Sequence, residues 1–204
     1  MGIVGLRLVM ELRGVSCLEL DQCPTPKQGI TCSRAFGKSV TTLTEMEEAV
    51  SSYTARAAEK LRHEGLAVTV LTVFLKTNEF KDTPQYSNAL TLKLPVATDT
   101  THELIRAALQ GTRKIYRAGY LYKKAGVMLT GLVQASQVQA DLFDRQDRVR
   151  SKRLMAALDS VNDRFGSGTL QYASSGLEKP WKTQFHRRSP AYTTDWNDLP
   201  LVSA

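Results

Sequence analysis

The sequence predicts an α+β fold, in which a ferredoxin-like, split βαββαβ domain follows a short N-terminal helix and precedes a partly irregular C-terminal extension. Segments typical of strand, helix, strand, strand, helix and strand follow one another over residues 25–135. The segment "SNALTLKLPV" has leucine at every second position, which indicates a strand with one buried face. The first helical segment begins at a capping motif, and the split βαβ order packs both helices on one face of an antiparallel sheet, leaving the other face open.

The N-terminal segment "GIVGLRLVMELRGVSCL" has apolar residues at helical spacing and predicts one short helix that breaks at Gly14. The turn-rich linker "DQCPTPKQG", with its two prolines, separates this helix from the domain. The β-branched and aromatic residues that follow predict a first strand from about Gly29 to Phe36.

The first helix of the domain begins where Thr42 with Glu45, and Thr44 with Glu47, match the capping box. Gly65 is a plausible C-terminal stop for it. Its apolar stripe consists of Met46, Val50, Tyr53, Ala57 and Leu61.

The second helix opens between Asp99 and Glu103 and is predicted to end at Gly119. The side chains that it is expected to bury are Leu104, Ile105, Ala108, Leu109, Ile115 and Tyr116.

The remaining strands are the β-branched run "LAVTVLTVFLKTN", which pairs as a hairpin with "SNALTLKLPV", and a last strand in "YLYKKAGVMLTGLV". Because side chains alternate along a strand, Thr91 and Lys93 point away from the leucine face of the hairpin. Lys93 is therefore predicted to lie on the open face of the sheet.

After residue 136 a polar linker, "QVQADLFDRQDRVRSK", leads to a helix in "RLMAALDSVNDRFG" and a short strand in "GTLQYAS". In that helix the apolar residues at helical spacing are Leu154, Leu158, Val161 and Phe165. The rest of the chain has aromatic residues and prolines without periodicity and is expected to be irregular.

The net charge of +7 lies mostly in the middle of the chain, because residues 66–135 contain 9 Lys and Arg against 4 Asp and Glu. A basic face attracts polyanions, so nucleic acid is the first partner to consider, and a merely solubilising basic surface is the alternative. The sequence leaves open which basic residues share a face, because a bulge reverses the alternation. The residues in or beside the strands that are candidates for DNA binding are Ser33, Arg34, Lys38, Lys76, Thr77, Lys93, Lys123 and Lys124.

The sequence lacks the motifs that are typical of several enzyme classes. The sequence contains no phosphate-binding G-x-x-x-x-G-K-[ST] loop, no G-x-G-x-x-G, no H-E-x-x-H and no G-x-S-x-G elbow, and the predicted strands contain no acidic residue. Three cysteines without C-x-x-C spacing and three dispersed histidines predict neither a disulfide nor a zinc site. No segment has the length and hydrophobicity of a membrane span or the pattern of a secretion leader, so a cytoplasmic location is expected.

The segment "QVQADLFDRQDRVR" contains an apolar pair, Leu142 and Phe143, within a polar run. With Gln139 the pair forms Q-x-x-L-F, a short peptide that can insert two apolar side chains into a groove of a partner. The alternative is that the pair folds back onto its own domain.

Several blocks resemble the carboxy-terminal half of UmuC-type, Y-family translesion DNA polymerases. They are "VGLRLVMELRGVSCLEL", "PTPKQGITCSRAFGKSV", "SSYTARAAEKLRHEG", "FLKTNEF", "YLYKKAGVML" and "SPAYTTDWNDLP". They occur in the order of that family and cover essentially the whole chain.

The resemblance implies four parts: the end of the thumb and a linker (1–24), the DNA-binding little finger (25–135), a linker with the sliding-clamp motif (136–150) and the UmuC-type tail (151–204). It implies that Gln139, Leu142 and Phe143 bind the β sliding clamp, although Ala140 departs from the larger residue usual in that motif. The implied partners are primer-template DNA, the clamp and, for the tail, a UmuD-type accessory subunit and the RecA filament.

The resemblance also implies that the palm, with its catalytic carboxylates and Mg²⁺, precedes residue 1. The chain is then expected to have no cofactor and no polymerase activity on its own. A different class of function stays open, in which the chain is a protein-interaction module or a truncated product that competes for the clamp or accessory subunits.

Overall fold

The computed structural model describes residues 2–17, 27–139, 147–183, 189–192 and 194–199. The helices and strands follow the predicted order. They are α1 (Ile3–Leu12), β1 (Gly29–Val40), α2 (Leu43–His63), β2 (Leu66–Thr77), β3 (Ser87–Thr98), α3 (Thr101–Ile115), β4 (Tyr122–Gln134) and α4 (Arg148–Phe165). The predicted α+β class and the βαββαβ order are confirmed.

The four strands form one antiparallel sheet in the order β1-β4-β2-β3. Strand β4 therefore lies between β1 and β2, and β2 lies between β3 and β4, so each βαβ unit encloses one strand of the other. This interleaving ties the two halves of the domain into a single sheet.

Helices α2 and α3 cover one face of the sheet. The predicted stripe of α2 is buried in full, with Met46, Val50, Ala57 and Leu61 at 0% exposure, beneath Leu71, Val73 and Leu75 of β2. Burying each such large side chain contributes about 1.5–3 kcal/mol, so this layer is the main source of stability. In α3 the predicted core residues are buried except Leu109 and Tyr116, which are only half-buried.

Of the two capping boxes in the sequence, the structure uses the first. The Oγ1 atom of Thr42 accepts a hydrogen bond from the backbone N–H of Glu45 at 3.3 Å, which satisfies one of the free donors at the start of α2. Glu47 instead accepts a bond from the Nε of Arg113 at 2.6 Å, and so links α2 to α3.

Three expectations from the sequence are corrected. Strand β1 continues to Val40, and α3 ends at Ile115 rather than at Gly119. The segment "GTLQYAS" forms turns and the short helix Ala173–Ser175 instead of a strand. Its backbone bonds to a side chain, because Leu170 donates to Oδ1 of Asn162 at 2.8 Å and accepts from its Nδ2 at 3.1 Å.

Helix α4 begins five residues earlier than the segment predicted for it and buries a different face. Met155 and Asn162 are its buried residues, whereas Leu154 and Phe165 are 56% and 65% exposed. The apolar spacing in the sequence therefore identified the helix but not its contact side.

The C-terminal extension, defined here as the described part of residues 147–199, packs on α2. Arg62 of α2 binds Asp159 through two bonds of 2.6 and 2.7 Å, and its other amino group donates to Thr101 at 2.7 Å. The Oγ atom of Ser51 lies 2.6 Å from that of Ser174. These contacts hold α4 and the segment after it against the helix layer.

Trp181 completes this attachment. Its ring packs edge to face against Phe36 and Tyr53, with centroid distances of 6.1 and 5.8 Å, and only 4% of the residue is exposed. Its carbonyl accepts the N–H of Gly37 at 3.0 Å. The extension thus contributes one side chain to the core of the domain.

Helix α1 has no buried residue. Within the described ranges, no helix combines the length and apolar character needed to cross a membrane.

Candidate nucleic-acid interface

The sheet face that α2 and α3 leave uncovered is the candidate interface, and strand register fixes its members. Residues directly opposite in an antiparallel ladder point to the same side. The open face, as the term is used below, consists of four rows of four residues: Gly29, Thr130, Val70 and Lys93; Thr31, Met128, Thr72 and Thr91; Ser33, Gly126, Phe74 and Ala89; Ala35, Lys124, Lys76 and Ser87.

The open face has one sign of charge. It contains the ammonium groups of Lys76, Lys93 and Lys124 and no acidic residue among its sixteen positions. Lys76 and Lys124 are direct cross-strand neighbours, and Lys76 binds Glu79, which follows β2, at 2.7 Å. Because Glu79 offsets the charge of Lys76, the charges left without a carboxylate partner among the described residues of the face are Lys124 at one end and Lys93 at the other.

Hydroxyl groups occupy both the rows between the lysines and the end rows that contain them. They belong to Thr31, Ser33, Thr72, Ser87, Thr91 and Thr130. The hydroxyls of Thr72 and Thr91 are 2.9 Å apart, so one donates to the other across β2 and β3. Such groups offer neutral hydrogen bonds to phosphate oxygens and carry no sequence information of their own.

The centre of the open face is closely packed around Gly126. A Cβ atom built there would lie 2.3 Å from the Cβ of Ser33 and 2.7 Å from the Cζ of Phe74. The ring of Phe74 therefore covers the glycine, which is a common way to stabilise glycine within a sheet.

The structure brings together four of the eight residues predicted for DNA binding. Ser33, Lys76, Lys93 and Lys124 all lie on the open face. The prediction that Lys93 faces away from the helices agrees with its position.

The other four lie elsewhere. Arg34 alternates with Ser33 and points to the helix side of β1, where it lines a separate cavity. Thr77 is 4% exposed, and its hydroxyl donates to Oε1 of Gln85 at 2.6 Å. Lys123 donates to the carbonyl of Phe36, and Lys38 is exposed in the part of β1 where the register shifts.

Sequence reasoning missed the threonines of the open face other than Thr91. Thr31 and Thr72 are each an even number of positions from Ser33 and Lys76 respectively, two residues that were already candidates for DNA binding. Alternation could have found them once the strand limits were known.

Of the predicted clamp-binding residues, Gln139 is exposed, and it is the last residue of the described range 27–139. Leu142 and Phe143 lie outside the described residues. The assignment of these three to a partner stays a prediction.

One group of ionisable side chains in the described part of the chain lies close enough to share a metal ion, namely Glu59, His63 and Asp163. The Nε2 of His63 is 3.9 Å from a carboxylate oxygen of Asp163, and both side chains are more than half exposed. Exposed ion pairs of this kind are common on helix surfaces and are worth little energy.

Comparison with known proteins matches two families. Residues 27–142 match the impB/mucB/samB family C-terminal domain, and residues 152–202 match a domain of unknown function, DUF4113. The first match covers all four strands and both helices that pack on them.

Among curated proteins, the chain is 43% identical to Protein UmuC of Salmonella typhimurium over 198 residues, which cover 96% of this chain and 47% of the relative. It is 42% identical to Protein MucB of Escherichia coli, with 99% and 48% covered. It is 27% identical to DNA polymerase IV of Pelotomaculum thermopropionicum, with 85% and 42% covered. The chain thus spans about half the length of these relatives.

Among solved structures, the complex of the beta-clamp processivity factor and the little finger domain of PolIV matches with a TM-score of 0.37 and 17% identity. The match covers 58% of this chain and 95% of that chain.

Proposed function

Because the chain belongs to the impB/mucB/samB C-terminal domain family and is closely similar to UmuC-type proteins, we propose that it is the DNA-holding and clamp-tethering C-terminal portion of an error-prone translesion DNA polymerase. The observation that supports this proposal most is the open face, which is broad, free of acidic residues and lined with lysines and hydroxyls.

The spacing on the open face suits a phosphate backbone. Lys93 is three two-residue steps from the row of Lys76 and Lys124. At about 3.3 Å per residue this is a separation of about 20 Å, over which one strand of B-DNA presents about six phosphates. Lysines at both ends would fix the strand, and the hydroxyls between them would bond to phosphates in the middle. Contacts of this kind hold DNA of any sequence, damaged DNA included.

DNA binding is tested by replacing Lys93 and Lys124 together with alanine. We expect weaker binding to primer-template DNA, with unchanged sequence preference and a salt slope reduced by about 2, because each lysine that contacts phosphate contributes about one to that slope. The matched control replaces Arg106 and Lys114, two exposed cations of α3 on the covered side of the sheet. Binding that does not depend on salt, or an equal loss in the control, would contradict the proposal.

We propose that the chain has four parts. They are the end of the thumb (1–24), the little finger (25–135), the clamp linker (136–150) and the tail (151–204). Within the linker we propose that Gln139, Leu142 and Phe143 dock on the β sliding clamp through an amide and two apolar side chains.

The clamp assignment is tested by capture of purified clamp on the immobilised chain. Replacing Leu142 and Phe143 with alanine is expected to abolish capture and to leave DNA affinity unchanged. The control replaces Leu154 and Phe165, the same two residue types, which α4 exposes to solvent. Undiminished capture by the Leu142 and Phe143 variant would refute the motif.

A function confined to protein partners is the alternative, in which the chain competes for the clamp, a UmuD-type subunit or the RecA filament. The observation that favours it is α1, whose apolar side chains are exposed at Ile3, Val4, Leu6, Leu8, Met10 and Leu12. A gel shift with duplex DNA at low salt, run beside clamp capture, separates the two functions, since a protein-only module gives capture without a shift.

We propose further that this chain does not extend primers alone, because catalysis would depend on the palm of the parent polymerase and its Mg²⁺. Primer extension by the purified chain with Mg²⁺ and nucleotides would overturn this part of the proposal.

A further inference from the structure

A cavity of about 760 Å³ lies between β1, α2 and the C-terminal extension. Its volume falls in the range of pockets that hold small organic ligands. Most of its wall comes from three elements: β1 through Arg34, α2 through Tyr53 and Arg56, and the extension through Lys179 and Trp181; α3 adds Thr101. It lies on the helix side of β1, although Ala35, at one end of the open face, also contributes to its lining.

The cavity wall is strongly cationic. Five cations and two carboxylates line it, but Arg62 and Asp159 neutralise each other in their two-bond pair. Glu59 is then the one carboxylate left beside four cations, which are Arg34, Arg56, Lys179 and Lys182. As far as the structure describes the chain, none of these four makes an ion pair with a carboxylate.

These cations act on one another. Burial and the neighbouring charges of Lys182 and Arg56 lower the pKa of Lys179 below its usual range, although the carboxylate of Glu48 acts in the opposite direction. The ammonium of Lys179 is held by Oε1 of Gln171 at 2.8 Å, a neutral acceptor. A bound anion would relieve this repulsion among like charges.

A neutral donor that has no acceptor in the described part of the chain lies beside the cavity. The Nε1–H of Trp181 is buried and has no hydrogen-bond acceptor among the described residues. A buried donor without an acceptor destabilises the fold, and groups in this state are rare in folded proteins. Trp181 lines the cavity, but its Nε1 has almost no exposed surface, so a ligand acceptor would reach this donor only after a shift of the wall around the indole.

We propose that this cavity binds the phosphate group of a nucleotide-sized ligand, taken either as a free nucleotide or as the phosphorylated end of a nucleic-acid strand. Phosphate oxygens accept charge-assisted bonds from the guanidinium groups of Arg34 and Arg56 and from the ammonium groups of Lys179 and Lys182. Tyr53 and Tyr172 provide an aromatic wall for a sugar or base, and Trp181, which also lines the cavity, lies close enough to report on binding. Residues of the sheet and residues of the extension would both contribute to this site. The extension is the part of the chain that matches a domain of unknown function.

The indole proton of Trp181 provides a direct readout of the site. In a Trp196→Phe background Trp181 is the single tryptophan, so its Nε1–H gives one indole signal in a proton–nitrogen NMR spectrum of the full chain. Pyrophosphate, a mononucleotide, and the same oligonucleotide with and without a 5′ phosphate are titrated in turn. We expect a saturable shift of the indole signal with phosphate-bearing ligands. If the mononucleotide binds more tightly, the ligand is a free nucleotide. If the 5′-phosphorylated strand binds more tightly, the ligand is the end of a nucleic-acid strand.

Substitutions then test which cations form the site. Replacing Arg56 and Lys182 together with alanine is expected to weaken binding at least about tenfold, the effect of losing a charge-assisted hydrogen bond. Both residues are exposed, so the variant is expected to stay folded. The control replaces Arg106 and Lys152, exposed cations outside the cavity, and is expected to change affinity less than about twofold.

Arg34→Ala gives a second variant that separates this site from the open face. It should weaken phosphate binding at the cavity while leaving the affinity for duplex DNA unchanged. Absence of a saturable indole shift with every ligand at millimolar concentration would overturn the proposal, and so would equal affinities of the Arg56 and Lys182 variant and its control.

Discussion

Gly126 shows how a single residue determines the shape of the open face. Its neighbours Ser33 on β1 and Phe74 on β2 are its cross-strand partners in the register. Because both approach the position that a Cβ would occupy, the three strands are close at this point and the ring of Phe74 lies over the backbone. The centre of the face therefore has no room for a side chain at Gly126.

We expect Gly126→Ala to destabilise the domain by about 1–3 kcal/mol, the usual cost of forcing extra atoms into a packed site. The measurement is urea unfolding followed by circular dichroism. Gly2→Ala is the control, because nothing lies within 4 Å of a Cβ at Gly2, and it should change the free energy of unfolding by less than about 0.5 kcal/mol. Equal stability of the two variants would show that the face accommodates a methyl group at Gly126.

Arg34 shows what the sequence could predict at this scale. Ile30, Cys32 and Phe36 share its parity and are apolar, so a regular strand predicts that Arg34 faces the helices with them. The structure has that arrangement up to Ala35, and the register shift comes only between Ala35 and Val40. The position of a bulge in β1 depends on how β1 pairs with β4. The sequence of β1 alone gives no information on that pairing.

At the scale of elements, the helices and strands of the sheet were predictable because each has its own periodicity and stop signals. The position of the C-terminal extension was not. It depends on Trp181, a single aromatic residue in an aperiodic segment, and on ion pairs such as that of Arg62 with Asp159, which joins residues 97 positions apart. Local patterns cannot report contacts of that range.

Trp181→Ala is expected to destabilise the domain by about 3–5 kcal/mol, because it removes a large ring from between Phe36 and Tyr53. Trp196, which is 88% exposed, provides the matched control, and Trp196→Ala should cost less than about 0.5 kcal/mol. Unfolding is followed by far-ultraviolet circular dichroism, since both variants alter the fluorescence. If the two variants unfold at the same urea concentration, the extension does not belong to the core.

At the scale of the whole molecule, buried acidic protons make the fold sensitive to alkali. Burial raises the pKa of Cys32 above its ordinary value of 9.0. It does the same, above 10.0, for the tyrosines Tyr53, Tyr116, Tyr122 and Tyr172. The unfolded chain loses these protons at lower pH than the folded chain does, so the unfolded state binds fewer protons and stability falls as pH rises. Lys179, whose pKa is lowered, acts in the opposite direction.

We therefore expect the urea midpoint to fall as pH increases from about 9 to about 11, since five groups outweigh one. Tyr53→Phe removes one of the buried phenols and should make the decline shallower. Tyr192→Phe, at a half-exposed site, should leave it unchanged. A midpoint that stays constant or rises over this interval contradicts the prediction.

The attachment of the extension also affects whether the edge strand β1 can pair with another chain. On β1, Gly37 donates to the carbonyl of Trp181, and the carbonyl of Ala35 accepts from the hydroxyl of Thr183 at 2.6 Å. At the other edge, β3 contains Pro95, which has no N–H to offer. Neither edge then presents an unbroken ladder to a second chain, so the folded protein is protected against strand exchange and fibrous aggregation. Cleavage within the extension would remove that protection from β1.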